Sequence, residues 1–93
     1  MPKILVIKLG ALGDVLRTTP LLRRLRGRVT WVTDRAALPL LAGNRRIDRL
    51  CTPAEFRKIR DENFDWVINF DEDRRACAIA ARARAAKKTG ALL

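Results

Sequence analysis

The chain has 93 residues, 48% of them hydrophobic, and sets 20 Lys and Arg against 10 Asp and Glu with no histidine, for a net charge of +10. That length allows one small domain, and the apolar fraction excludes a disordered chain. No apolar run approaches the roughly 20 residues that a bilayer-spanning helix requires, and the start Met1-Pro2-Lys3 lacks a signal-peptide cleavage region, so the chain is expected in the cytosol.

Strand and helix patterns alternate four times, which predicts an α/β fold with a parallel sheet. Lys3 to Leu9 is a short run rich in Ile, Leu and Val, suited to a central strand covered on both faces. The loop Gly10-Ala11-Leu12-Gly13 follows, and its two glycines are expected to let the backbone turn tightly and approach a ligand. A helix is predicted from Asp14 to Arg26 with Pro20 inside it. Because proline removes a backbone donor, the expected solution is a first turn at Asp14 to Thr18 and a restart with Thr19 as cap. Leu21, Leu22 and Leu25 then face the sheet, and Arg23, Arg24 and Arg26 face water.

Val29 to Thr33 is the second strand, and Arg35 to Leu41 a short helix capped by Asp34 and ended near Gly43-Asn44. Ile47 to Cys51 is a weak third strand, and Pro53 to Glu62 a helix capped by Thr52. Trp66 to Phe70 is the fourth strand. Asp73 caps a last helix running from Arg74 to about Lys87, with Ala76, Ile79, Ala80 and Ala83 as its buried stripe. Thr89 to Leu93 reads as the opening of a fifth strand, so the chain is expected to be a cut domain.

In an open α/β sheet, ligands bind at the carboxyl ends of the strands. Asp14 falls at that edge, where a carboxylate serves either as a general base or as a helix cap that satisfies orphan amides. Lys8, near the end of a buried strand, is unusual unless it reaches solvent or an anion; Arg17 lies one helical turn beyond Asp14. Asn69 and Asp71 end the fourth strand at the same edge, where they either line the cleft or make an ordinary strand-to-helix turn. The glycine spacing matches neither the GxGxxG fingerprint nor a Walker A loop, and a GxxG that follows a strand is not a KH loop. Cys51 and Cys77 have no CxxC or metal-ligand spacing and read as reduced, buried thiols, with no metal site expected. The positive charge suits an anionic partner. Fifteen arginines against five lysines, with abundant alanine and no tyrosine, equally fit solvated helix faces written by a GC-rich coding sequence. None of Trp31, Phe56, Phe64, Trp66 and Phe70 interleaves with a basic stripe, which argues against nucleic acid as the partner.

The string Lys8, Gly13-Asp14 and Thr18-Thr19-Pro20 resembles the amino-terminal motif of glycosyltransferase family 9, the lipopolysaccharide heptosyltransferases. The resemblance continues through Trp31-Val32-Thr33-Asp34, Leu40 to Asn44, Ile47-Asp48-Arg49 and Phe64 to Asn69, and so spans nearly the whole chain. It implies a truncated amino-terminal, acceptor-side Rossmann-like domain of a GT-B enzyme that transfers heptose from ADP-heptose to the lipopolysaccharide core with inversion. No cofactor is implied beyond that donor substrate. The resemblance makes Asp14 the general base. It places Lys8, Gly10, Ala11, Gly13, Arg17, Asn69 and Asp71 around the acceptor, whose carboxylates and phosphates would meet the cations. The donor-binding carboxy-terminal domain is missing, so the chain alone is expected to be inactive. Its basic faces would touch the anionic inner face of the cytoplasmic membrane. The competing reading is a basic, non-catalytic nucleic-acid-binding module, and a weaker one is a Rossmann-like nucleotide binder of another class.

Overall fold

The computed structural model describes residues 1–90. Five strands form one all-parallel sheet in the order β3-β2-β1-β4-β5: β1 (Lys3–Ile7), β2 (Arg28–Val32), β3 (Arg49–Cys51), β4 (Asn63–Asn69) and β5 (Arg84–Gly90). The connecting helices are α1 (Leu12–Thr18), α2 (Leu38–Leu41), α3 (Pro53–Phe56) and α4 (Arg74–Arg82). The apolar run of β1 makes it the centre of the sheet, with Leu5, Val6 and Ile7 fully buried.

Chain order reverses beside β1: the first two crossovers step away to β2 and β3, and the third returns to β4 on the other side. Right-handed crossovers then put α1 and α2 on one face and α3 and α4 on the other. Two cores follow. Val6, Val15, Leu22, Trp31 and Leu41 fill one; Leu5, Ile7, Phe56, Val67, Ala76 and Ala80 fill the other.

Several sequence expectations need correction. α1 starts at Leu12, not Asp14, and runs directly into a 3-10 turn over Thr19–Arg24. Thr19 is not the expected N-cap but closes α1 at its carboxyl end, and its hydroxyl donates to the Leu16 carbonyl at 2.8 Å; the tighter 3-10 turn accommodates Pro20 without a fresh helix start. Leu22 is buried, but Leu21 is exposed. Gly10 and Gly13 do not have positive φ; that conformation falls to Gly27, Gly43 and Gly90. Asp34 precedes a 3-10 turn over Arg35–Ala37 and makes no side-chain cap bond. α3 ends at Phe56 and continues as 3-10 only over Arg57–Ile59. The Thr52 cap is present as a full capping box with Glu55, and Asp73 caps α4 by accepting from the Arg75 N–H at 2.7 Å.

The largest departure is at the end of the chain. α4 stops at Arg82 and β5 begins at Arg84, although Ala-Arg-Ala-Ala-Lys-Lys has high helix propensity. Nine helical residues rise about 14 Å, enough to cross back over the sheet, and continuing to Lys87 would overshoot it. The open ladder edge of β4 takes the segment instead, with Asn63 to Asn69 pairing Arg84 to Gly90; tertiary pairing overrides local propensity. The predicted fifth strand therefore starts five residues early, and its last three positions, 91–93, lie outside the described residues.

Candidate active site

Strand order reverses between β1 and β4, so the carboxyl ends of these two strands flank the crevice where open α/β sheets take ligands. The sequence candidates gather there in two layers, one buried and one exposed.

The buried layer centres on Asp71, just past β4. Its Oδ2 accepts from the backbone N–H of Leu9 at 3.0 Å and of Gly10 at 3.4 Å. Its Oδ1 accepts from the Asp73 N–H at 2.9 Å. Lys8 Nζ lies 3.7 Å from the same Oδ2, and both side chains are only 12% exposed. Burial alone would raise the Asp71 pKa. The Asp73 and Leu9 amides, the Lys8 charge and the Gly10 amide outweigh it and hold the carboxyl below its ordinary value. Asn69 lies beneath, 5% exposed: its Oδ1 accepts from the Asp71 N–H at 2.9 Å, and its Nδ2 faces the Cys77 sulfur at 3.8 Å. The structure thus turns Lys8, Asn69 and Asp71 toward one another and does not present Asn69 to the cleft.

The exposed layer is the start of α1. Ala11, Leu12, Gly13, Asp14 and Arg17 all face solvent. Ala11 holds the cap position with no side-chain bond, so Asp14, the third residue of the helix, is not a cap. Its carboxylate is 55% exposed and meets Arg17 Nη1 at 3.6 Å, a solvent-screened pair easily exchanged for a ligand. Val15, fully buried, anchors this turn to the sheet, and the Thr18 hydroxyl donates to the Asp14 carbonyl at 2.7 Å. A Cβ on Gly13 would meet nothing within 4 Å, so the helix start is open to an incoming group. The Gly10–Ala11 peptide is cis.

Two residues at this edge were not among the site candidates read from the sequence, where Asp34 was expected only as a helix cap. Asp34 follows β2, and Arg75 lies in the first turn of α4. They form a two-pronged pair, Nη1 to Oδ1 at 3.1 Å and Nη2 to Oδ2 at 3.0 Å, while Arg75 also reaches Asp73. Asp34 Oδ2 lies 3.8 Å from where a Gly10 Cβ would stand. Position at the carboxyl end of β2 was the available signal for Asp34; nothing local marks Arg75.

On the sheet face carrying α3 and α4, Arg75 also borders a groove of about 240 Å³ with Pro53, Phe56, Arg57, Arg60, Ile79 and Arg82. Arg57, Arg60 and Arg82 have no acidic partner among the described residues. No aromatic ring stands free as a stacking platform: Trp31, Phe56 and Phe64 are buried, Phe70 is half-buried against the core, and Trp66 is covered by Lys87 at 4.2 Å. Cys51 and Cys77 are free and buried. Among the described residues, no cluster of three or more His, Cys, Asp or Glu could hold a metal ion, and no helix is long and apolar enough to cross a membrane.

No family model and no curated protein matches the chain. Solved structures do. The glycosyl transferase family 9 protein of Veillonella parvula has a TM-score of 0.85 and 29% identity, over 96% of this chain and 31% of that one. E. coli heptosyltransferase WaaC, solved with ADP, has a TM-score of 0.71 and 20% identity, over 94% of this chain and 34% of that one; this second likeness is one of fold. The chain spans about a third of the length of each. The all-parallel sheet with helices on both faces is thus a Rossmann-like α/β arrangement that matches GT-B glycosyltransferase structures, and the chain is similar to glycosyltransferase family 9.

Proposed function

We propose that these residues form the acceptor-side part of an inverting glycosyltransferase of the heptosyltransferase kind, with Asp14 as its general base. The observation that carries this reading is the Asp14 carboxylate, exposed at the mouth of the crevice beside β1 and not used as a helix cap. In a single displacement the acceptor hydroxyl loses its proton to the base as its oxygen bonds the anomeric carbon, and the bond to the diphosphate breaks on the opposite side, inverting the centre. Arg17 keeps the carboxylate oriented until the acceptor displaces it.

The donor is a nucleotide sugar, ADP-heptose in the closest form of the reading, in keeping with the ADP in the heptosyltransferase of similar fold. The residues that bind it belong to a donor half outside these 93, so the chain alone does not turn over. The acceptor is the anionic lipopolysaccharide core. Its charged groups would meet Arg17 and the unpaired arginines of the α3–α4 groove, and the enzyme would work in the cytoplasm against the inner face of the membrane. The unpaired arginines would suit any polyanion, but no fully exposed aromatic ring accompanies them among the described residues, so a nucleic-acid module has less support than the transferase.

The test is Asp14→Asn in the native gene product, its intact mass measured first. Turnover of ADP-heptose is expected to fall by about 100- to 10,000-fold, the usual worth of a general base, with the unfolding midpoint unchanged. Turnover within about threefold of the parent would remove Asp14 from the base role. A native product with no donor-binding half would overturn the transferase reading.

A further inference from the structure

We propose that Asp71 is a positioning residue: it fixes the loop that delivers Asp14 to the crevice, and it does not contact substrate. The proposal rests on the reading of Asp14 as the base.

Every face of the Asp71 carboxylate is already engaged. Oδ1 takes the Asp73 N–H, and Oδ2 takes the Leu9 and Gly10 N–H groups with Lys8 alongside. At 12% exposure it has little left to offer a ligand. The opposite side of the same loop is gripped from β2 and its end. The Leu9 carbonyl accepts from the Asp34 N–H at 3.0 Å and from the Thr33 hydroxyl at 3.2 Å. The Lys8 carbonyl accepts from the Trp31 indole at 3.3 Å.

Residues 8–10 are therefore clamped between the ends of β2 and β4, while Ala11 to Asp14 are exposed. The first helical bond, from the Val15 N–H to the Ala11 carbonyl at 2.9 Å, begins one residue beyond the clamp. Where Gly10 is held thus sets where α1 starts and where the Asp14 carboxylate points. Asp71 is the half of the clamp made by a side chain across the switch point, so it alone can be removed without touching β2. Displacing a reacting group by about 1 Å costs on the order of 100-fold in rate.

The experiment is steady-state kinetics of the native gene product carrying Asp71→Asn, which keeps the shape of the side chain but replaces one acceptor oxygen with a donor. The expected result is a kcat about 10- to 100-fold lower, the cost of a misplaced base, with both KM values within about twofold of the parent. A raised acceptor KM with kcat preserved would make Asp71 a substrate contact and overturn the proposal. Asp48→Asn is the control: Asp48 accepts from the Val29 N–H at 2.7 Å at the far end of the sheet. It is expected to lower stability without lowering kcat, and an equal loss of kcat there would assign the Asp71 effect to stability alone.

A second measurement needs no variant. In the native gene product, the amide shifts of Leu9 and Gly10, whose N–H groups both meet Asp71 Oδ2, are expected to follow one carboxyl titration, that of the Asp71 side-chain carbon; independent titration would overturn the clamp. Asp14→Asn in the same kinetic series separates the two readings: unchanged turnover there removes the base, while the amide titration still reports whether Asp71 holds the loop.

Discussion

Replacing Asp71 by alanine removes one acceptor from three backbone donors and strands a cation. The Asp73 N–H lies in an exposed turn and recovers its bond from water. The Leu9 N–H is partly buried, and losing a charge-assisted bond there costs about 2 kcal/mol. The Gly10 bond, at 3.4 Å, is long and contributes less than about 1 kcal/mol. Lys8, 12% exposed, loses its counter-charge for about 1 kcal/mol more, so the total is about 3 kcal/mol. A chain of this length has about 5–14 kcal/mol of stability in all, so the loss is readily measured by urea unfolding followed through the buried Trp31. The pH dependence is a second signature. Asp71 titrates below its ordinary value in the folded chain, so the unfolded chain takes up the proton first on acidification. The stabilisation is complete above the unfolded carboxyl value of about 4 and is lost as pH falls through the folded value. The gap between parent and Asp71→Ala should therefore be widest at neutral pH and close in acid. Glu55, Glu62 and Asp73 are also held low, but they titrate in both proteins and cancel in the difference. A gap under about 0.5 kcal/mol at neutral pH, or one that does not narrow in acid, would refute this account of the clamp.

Other outcomes follow from the same structure. Thr52→Ala should lower stability by about 1 kcal/mol in urea unfolding, since it deletes the capping box that starts α3. Gly27→Ala should cost about 1–3 kcal/mol, because its φ of +154° is strained for any side chain and a Cβ there would strike the Pro2 carbonyl oxygen. Arg75→Ala should cost less than about 1 kcal/mol despite its several bonds, because the guanidinium is 58% exposed and such pairs are screened. Burial pushes the Cys51 thiol up to about 11, so an aromatic disulfide reagent at pH 8 should leave it unmodified in the folded chain and label it on unfolding.

The local patterns were legible because they are written in adjacent residues. An uninterrupted apolar run announced β1 as the central strand, Thr52 and Asp73 announced their helices, and the alternation of periods announced a parallel sheet. That order also put Asp14 after β1 at the ligand-binding edge of the sheet, but only the structure showed it exposed and not used as a cap. What the sequence could not state was which carboxylates and cations meet. Leu9 and Asp71 are 62 positions apart, and Asp34 and Arg75 are 41 apart; they meet only because the crossover returns β4 to the far side of β1. That return also buried Lys8 and Asn69, for which local reading left both a cleft-lining and a purely structural role open. It ended α4 at Arg82 as well, since an open ladder edge outweighs the helix propensity of six residues. Periodicity within a segment determined the elements of this protein, and backbone pairing between distant segments decided its site, because strand register belongs to the sheet and to no single stretch of chain.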